Sequence, residues 1–185
     1  MTRMVLGLAG EIASGKGTVS EYLREKCDTS QHRFSTMLRD VLDRLHLEHS
    51  RDNLQKLSTV IRQTYGEDTL AKVMAEDAKK DDAEIIVIDG VRRLDDIKYL
   101  KELPEFKLVY VDADIKVRHE RINERSENVD DQTKTFEEFV EESKDESEVQ
   151  IIGLKEHADM IINNDGDISE LYKQVDNLVE EKHVC

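Results

Sequence analysis

The chain has no tryptophan, one proline, eight glycines and two cysteines in 185 residues, and each shortage narrows what it can be. So little proline and glycine leaves no material for long linkers, and the length suits one domain with a substantial core, with room for a mobile insert. Cys27 and Cys185 lie far apart without metal-ligand spacing and read as free thiols, although a disulfide between them stays open. No apolar run approaches membrane-spanning length and the N-terminus lacks an apolar signal region, so the expectation is a cytoplasmic protein with no membrane partner. The formal net charge of −15 argues against general nucleic-acid binding, which needs a concentrated basic face. Against that acidity, local groups of arginine stand out as sites for a phosphate-rich ligand. The one compositionally biased stretch is acidic, from Glu124 to Glu148.

What is present begins with Gly10-Glu11-Ile12-Ala13-Ser14-Gly15-Lys16-Gly17-Thr18, between the apolar run Met4-Val5-Leu6-Gly7-Leu8 and a helix-compatible segment ending near Lys26. Gly10 and Gly15 stand at the G-x-x-x-x-G-K spacing of a phosphate-binding loop, where positions without side chains let several N–H groups turn toward one anion. A helix N-terminus adds its aligned peptide dipoles, and Lys16 adds a full charge within reach of the outer phosphates of a nucleoside triphosphate. Gly10, Ala13, Ser14, Gly15, Lys16, Gly17 and Thr18 are therefore candidate residues for binding the triphosphate, which the resemblance given below implies is that of ATP, with Lys16 also catalytic. Such loops usually place a Mg²⁺-ligating hydroxyl directly after the lysine; here Gly17 intervenes and the hydroxyl arrives at Thr18. The Gly-Lys-Gly-Thr ending resembles adenylate kinases and other small-metabolite kinases. That resemblance implies a Mg²⁺ held largely through water and phosphate, with Thr18 a candidate metal residue.

Four short apolar runs, at 5–9, 84–89, 107–112 and 160–163, each read as a central strand of a parallel sheet, with a fifth, weaker strand near 32–35. Helical patterns between them must cross over the sheet. The fold class is therefore α/β, a three-layer P-loop NTPase fold with a central parallel sheet of about five strands and a small helical lid. Leu38, Val41, Leu42 and Leu45 form a stripe expected in the core. Two helices split at Gly66 are expected to bury Leu54, Leu57, Val60 and Ile61, then Leu70, Val73 and Met74.

Ile85-Ile86-Val87-Ile88-Asp89-Gly90-Val91-Arg92-Arg93 is the second strong stretch. A carboxylate ending a buried strand beside a phosphate loop can orient Mg²⁺-bound water or accept a proton, which makes Asp89 a candidate catalytic and metal residue. Arg92 and Arg93 can fork onto phosphate oxygens. The stretch resembles the Leu-Asp-Gly-Phe-Pro-Arg signature of adenylate kinases, one residue shorter and without proline, and the match implies that Arg92, or Arg93 in its place, binds the acceptor. Ser35-Thr36-Met37-Leu38-Arg39 resembles their Ser-Thr-Gly-Asp-Met-Leu-Arg segment with two residues missing, which implies an acceptor-phosphate role for Arg39; pairing with Asp43 is the local alternative. Arg51 and Arg62 are further acceptor-site candidates, against the simpler reading of an ion-paired helix face. Arg118, Arg121 and Arg125 project along one face of a helix ahead of a loop at 126–135. Arg121 and Arg125 are candidate catalytic cations delivered by lid closure, and Arg118 the structural member.

The tail Ala158-Asp159-Met160-Ile161-Ile162-Asn163-Asn164-Asp165-Gly166, with Leu171, Gln174 and Val175 beyond it, resembles dephospho-CoA kinases. In that family the turn lies beside the adenine of ATP, so Asn163 and Gly166 are candidate base-side residues, although plain turn chemistry explains them equally well. Taken whole, the chain resembles archaeal dephospho-CoA-kinase-like P-loop proteins. The resemblance implies one kinase domain over residues 1–185, with a helical acceptor-binding region at 36–80, a lid at about 118–150, and ATP-Mg²⁺ as phosphoryl donor. The implied function is an ATP-dependent kinase for a nucleotide or nucleotide-like small molecule. Dephospho-CoA kinase is the alternative, and a nucleotide-dependent switch or assembly ATPase is the alternative from another class.

Overall fold

The computed structural model describes residues 3–124, 135–144 and 146–180. Three uniformly apolar segments form the middle of the sheet: β1 (Met4–Ala9), β3 (Ile85–Asp89) and β4 (Phe106–Asp112). Successive side chains of a strand point to opposite faces, and here both faces are covered. Val5, Ile86, Ile88, Leu108 and Tyr110 pack with Met74, Ala75 and Ala78 of α4 (Thr69–Lys80), and with Ile151 of α7 (Glu146–Gly153). Leu6, Leu8, Ile85, Val87, Val109 and Val111 pack with Val19 and Leu23 of α1 (Lys16–Lys26), and with Leu171, Val175 and Leu178 of α8 (Ile168–Glu180). Each fully buried aliphatic side chain contributes about 1.5–3 kcal/mol, so these strands and the helices on them hold the fold.

The sheet is parallel throughout, in the order β2-β3-β1-β4-β5, with β2 (Thr29–Arg33) and β5 (Met160–Asn163) at its edges. The chain leaves the central strand β1 and turns at the carboxyl edge into α1, so the phosphate-loop sequence falls where the strand order reverses, the crevice where parallel sheets bind ligands. Register places Arg33 opposite Asp89 and Asp112 opposite Asn163 on that same edge. Between β2 and β3 lie α2 (Phe34–Arg44), α3 (Arg51–Tyr65) and α4. After β4 come α5 (Ile115–Glu124) and α6 (Phe136–Glu142), the latter opened by a capping box between Thr135 and Glu138.

Several expectations are corrected. The strand expected at 32–35 is Thr29–Arg33. It has no apolar residue to show a periodicity, and its place is set by pairing along the edge of β3. The run at 160–163 is an edge strand with Ile161 half-exposed, not a central one. Within α2 only Leu38 and Leu42 are buried, while Val41 and Leu45 face outward. In α3 none of Leu54, Leu57, Val60 or Ile61 is fully buried, and Val60 is 56% exposed. The reason is position: α3 packs on α2 and α4 rather than on the sheet, so its apolar stripe meets helices on one narrow seam. Val73 is likewise exposed on α4, beside buried Leu70 and Met74. Cys27 is disulfide-bonded rather than a free thiol, and Cys185 lies outside the described residues.

Polar contacts tie this helical arm to the chain after β3. Asp68 accepts from the Tyr99 hydroxyl and pairs with Lys72 and Lys98, both at 3.4 Å. The Tyr99 hydrogen bond foremost, with the two ammoniums, holds the Asp68 carboxyl down to about 2 from its ordinary 3.8. A carboxylate depressed on folding adds stability above its unfolded pKa and loses it as pH falls through the folded value. The thermal stability gap between the wild type and Asp68→Ala should therefore be constant above about pH 5 and shrink toward about pH 2. A gap independent of pH in that window would mean that the ionised carboxylate is not what matters.

Candidate active site

The Gly10–Thr18 loop wraps as its glycines require. Gly10 has φ 142° and Gly15 φ 107°, and Ala13 joins them at positive φ. Space is as strict as conformation: a Cβ on Gly10 would lie 2.3 Å from the Val111 carbonyl, and one on Gly15 would lie 2.1 Å from Asn164 Nδ2. Gly15 is also the N-cap of α1, so the amides of the first turn open onto the loop. Lys16, the first helical residue, donates to the carbonyls of Gly10 at 2.6 Å and Glu11 at 2.9 Å, closing the loop on itself. Ser14 is buried, and its Oγ has no hydrogen-bond partner among the described residues, a vacant donor that a phosphate oxygen would satisfy. Gly17 and Thr18 follow in the first turn, where a Cβ on Gly17 would meet nothing within 4 Å.

Asn164, only 6% exposed, fastens the turn after β5 to this loop. Its Nδ2 donates to the Ser14 carbonyl at 2.7 Å, and its backbone N–H to the Asp112 carbonyl at 2.8 Å. Arg121 Nη2 donates to the Asn164 carbonyl at 2.8 Å, while Arg121 Nη1 is buried without a hydrogen-bond partner among the described residues. Arg121, expected as a cation carried in by a lid, is thus fixed to the turn expected on the base side. Of the residues expected there, Asn163 points its amide at Asp165, 2.7 Å away, and its backbone is gripped on both sides by Gln174. Gly166 sits in the same turn against Glu170.

Arg118 is 3% exposed. It donates to the Ala113 carbonyl at 3.1 Å and pairs with Glu11 at 2.8 Å, with its guanidinium 5.6 Å from the Phe139 ring. It joins the phosphate loop, the β4–α5 turn and α6. Burial pushes the Glu11 carboxyl above its usual range; Arg118 opposes that shift, and Glu148 and Asp112 add to it. Arg125 lies outside the described residues, as does most of the loop at 126–135.

On the other side of the loop, Asp89 ends β3 and pairs with Arg33 at 3.0 Å. Sequence reasoning missed Arg33 because it misplaced β2; with the strand ending at residue 33, the register would have set the two opposite each other. Arg39 is exposed and takes no ion pair among the described residues, and Asp43, its expected local partner, is engaged by His49 at 2.6 Å. The Arg92 side chain is exposed. Arg93 instead pairs with Asp96 at 3.5 Å. Asp96 was also missed: it is 4% exposed and accepts the backbone N–H groups of Arg92 and Arg93 at 3.0 and 3.1 Å, which fixes the turn both arginines leave from. Its only signal was a carboxylate three residues after Arg93, visible once a short 3-10 helix is expected at Leu94–Ile97. Among the described residues no three Asp, Glu, His or Cys converge as a metal cage.

A phosphate-binding loop between the central strand and first helix of a parallel sheet in this order defines a P-loop nucleotide-binding protein with a kinase-like fold. Two solved structures share that fold: TT1252 from Thermus thermophilus (16% identity, 98% of each chain covered, TM-score 0.64) and shikimate kinase from Bacteroides thetaiotaomicron (15% identity, 98% and 99% covered, TM-score 0.64). The AAA domain family matches residues 9–138. UPF0200 proteins are similar over nearly the full length: that of Thermococcus gammatolerans at 30% identity, covering 96% of this chain and 95% of the relative, and that of Staphylothermus marinus at 28%, covering 98% and 94%. The chain belongs to the AAA domain family and to the UPF0200 proteins. No helix among the described residues is long and apolar enough to cross a membrane.

The wedge of Asn164 under the loop gives a direct test. Asn164→Ala should weaken ATP binding by at least about tenfold, or 1.4 kcal/mol, in calorimetry, with the far-ultraviolet circular dichroism unchanged. Unaltered affinity would separate this turn from the nucleotide site.

Proposed function

We propose that the protein is an ATP-dependent small-molecule kinase that transfers the γ-phosphoryl group to a nucleotide or nucleotide-like acceptor. The observation that carries this reading is the division of the carboxyl edge of the sheet. The phosphate loop and the Asn164–Arg121 turn lie at β1 and β5, while Arg33, Asp89, Arg92 and Arg93 lie at β2 and β3. A switch ATPase needs the first half alone; a group of cations beyond it, in a chain of net charge −15, asks for a second anionic ligand. The kinase-like fold supports the reading at the level of class, and the tail resemblance keeps dephospho-CoA among the acceptors to be tried.

In this scheme the loop amides and Ser14 Oγ hold the donor's phosphates, and Lys16 exchanges its two loop carbonyls for the β- and γ-phosphate oxygens. Arg39 and Arg92 bind the acceptor's phosphate. Asp89, oriented by Arg33, takes the proton of an attacking hydroxyl or of a protonated phosphate acceptor. Arg121 holds the base-side turn and offers its vacant Nη1 to the donor. Mg²⁺, when bound, would neutralise charge on the transferred group. Little covalent work is left to the protein, so positioning and charge are the catalytic terms.

ADP release measured with nucleoside monophosphates, deoxynucleotides and dephospho-CoA, against no acceptor, tests the proposal: one class should raise turnover well above the basal rate. Slow hydrolysis indifferent to every acceptor would favour the switch reading. Lys16→Ala should abolish transfer with a native circular dichroism spectrum. Arg39→Ala and Arg92→Ala should each raise the acceptor KM by at least about tenfold while ATP affinity stays within about twofold.

A further inference from the structure

The mechanism above does not use Arg62 of the helical arm, which, unlike exposed Arg44 and Arg51, is not on a solvated face. Its side chain is only 16% exposed. Nη1 donates to the Glu67 carbonyl at 2.7 Å, Nε lies 3.4 Å from Ser58 Oγ, and Nη2 comes within 3.7 Å of Asp96 Oδ1. The same oxygen faces Arg93 Nη2 at 3.5 Å. One buried carboxylate therefore stands between two guanidiniums from different parts of the chain, and its other oxygen is already committed to the Arg92 and Arg93 amides.

The two guanidiniums share one buried carboxylate, since the other carboxylates that act on Arg62, Glu67 and Asp95, are exposed to solvent. Both distances to Asp96 are longer than a good charge-assisted hydrogen bond of about 2.7–2.9 Å. The contacts are pairings at arm's length, with donors left over on both guanidiniums. Burial foremost, then the neighbouring Arg93 charge, pushes Arg62 below its usual range against the opposing pull of Asp96, Glu67 and Asp95.

We propose that Arg62 and Arg93, with Asp96 as the residue that positions them, form a second oxyanion point for the acceptor, taking an anionic group through paired guanidinium N–H donors. The site bridges α3 and the chain after β3, so an anion there draws the helical arm onto the sheet edge. The paired donors suit an anionic oxygen pair, a carboxylate or a diphosphate-type oxygen, and the acceptor then carries this group besides the one met by Arg39 and Arg92.

The inference rests on the kinase reading for its place in the reaction, but it can be tested apart from it. Arginine Nε–H signals in ¹⁵N NMR of the full chain, titrated with pyrophosphate, citrate and inorganic phosphate, should shift for Arg62 and Arg93 together, at lower concentration with the first two. Arg62→Lys retains charge and stem but not the fork; it should raise the KM of the accepted substrate at least tenfold, with ATP affinity and Tm little changed. Arg62→Ala should do the same or worse. Asp96→Asn, which still accepts the two amides, should uncouple the two arginine shifts. A purely structural staple predicts the opposite pattern: a lowered Tm in Arg62→Ala and a normal acceptor KM in Arg62→Lys, with signals indifferent to added anions. That result would overturn the inference. Anion shifts at Arg62 and Arg93 without stimulated turnover by any acceptor would instead retain the site and overturn the kinase reading.

Discussion

The constraint on which the rest of the site depends is the absence of a side chain at Gly15. Where a Cβ would stand, the Asn164 amide lies 2.1 Å away and donates to the Ser14 carbonyl. Two distant parts of the chain thereby fix each other, the loop after β1 and the turn after β5, on opposite sides of β4. Through its backbone, Asn164 also joins β4 at Asp112 and α5 at Arg121, so a single buried residue sets the position of the loop, the turn after β5 and one arginine. Buried polar groups hold geometry well when every partner is in place, because the cost of leaving one unpaired is of the order of 1–3 kcal/mol. The two donors of this neighbourhood without partners among the described residues, Ser14 Oγ and Arg121 Nη1, are for that reason the ones a ligand would complete.

Arginine is distributed with the same logic. Arg118 is spent inside the protein, its carboxylate partner Glu11 belonging to the phosphate loop itself, and it stiffens the loop rather than reaching out of it. Arg33 and Arg93 are each set beside a carboxylate at the sheet edge, and Arg39 and Arg92 are left to solvent. In a protein with so large a negative surplus, exposed arginines at this edge are the groups that an acceptor anion, on the proposed reading, would meet first.

The central sheet was legible because β1, β3 and β4 are apolar on both faces, and only a buried parallel strand needs that pattern. The phosphate loop was legible because its glycine spacing follows from the backbone it must adopt. What was not legible has physical causes too. β2 is polar, so its boundary came out three residues late, and Arg33 was lost with it. The apolar stripe of α3 has ordinary helical spacing, yet no periodicity says whether a helix packs on a sheet or on the rim of other helices. Asp96 works by accepting backbone amides in a short 3-10 turn, a local geometry that leaves no repeating trace. Asn164 and Asn163 are the same residue type in one turn, and only the direction of the edge strand decides which enters the protein.

The two halves of the molecule are held by forces of different size. Around the sheet, stabilisation comes from fully buried aliphatic side chains, each worth about 1.5–3 kcal/mol. The helical arm of α2 and α3 has few of these, with Leu45 and Val60 each 56% exposed, and leans on polar contacts such as Asp68 with Tyr99 and Arg62 with Asp96. The exposed ion pairs among these contacts, Asp68 with Lys72 and Lys98, weaken with salt. The phosphate loop is thus built into the core, whereas the arm that carries Arg39 and Arg62 leans on polar contacts for much of its attachment. An anion bound between Arg62 and Arg93 would act on the weaker of the two attachments, where a small added free energy changes the most.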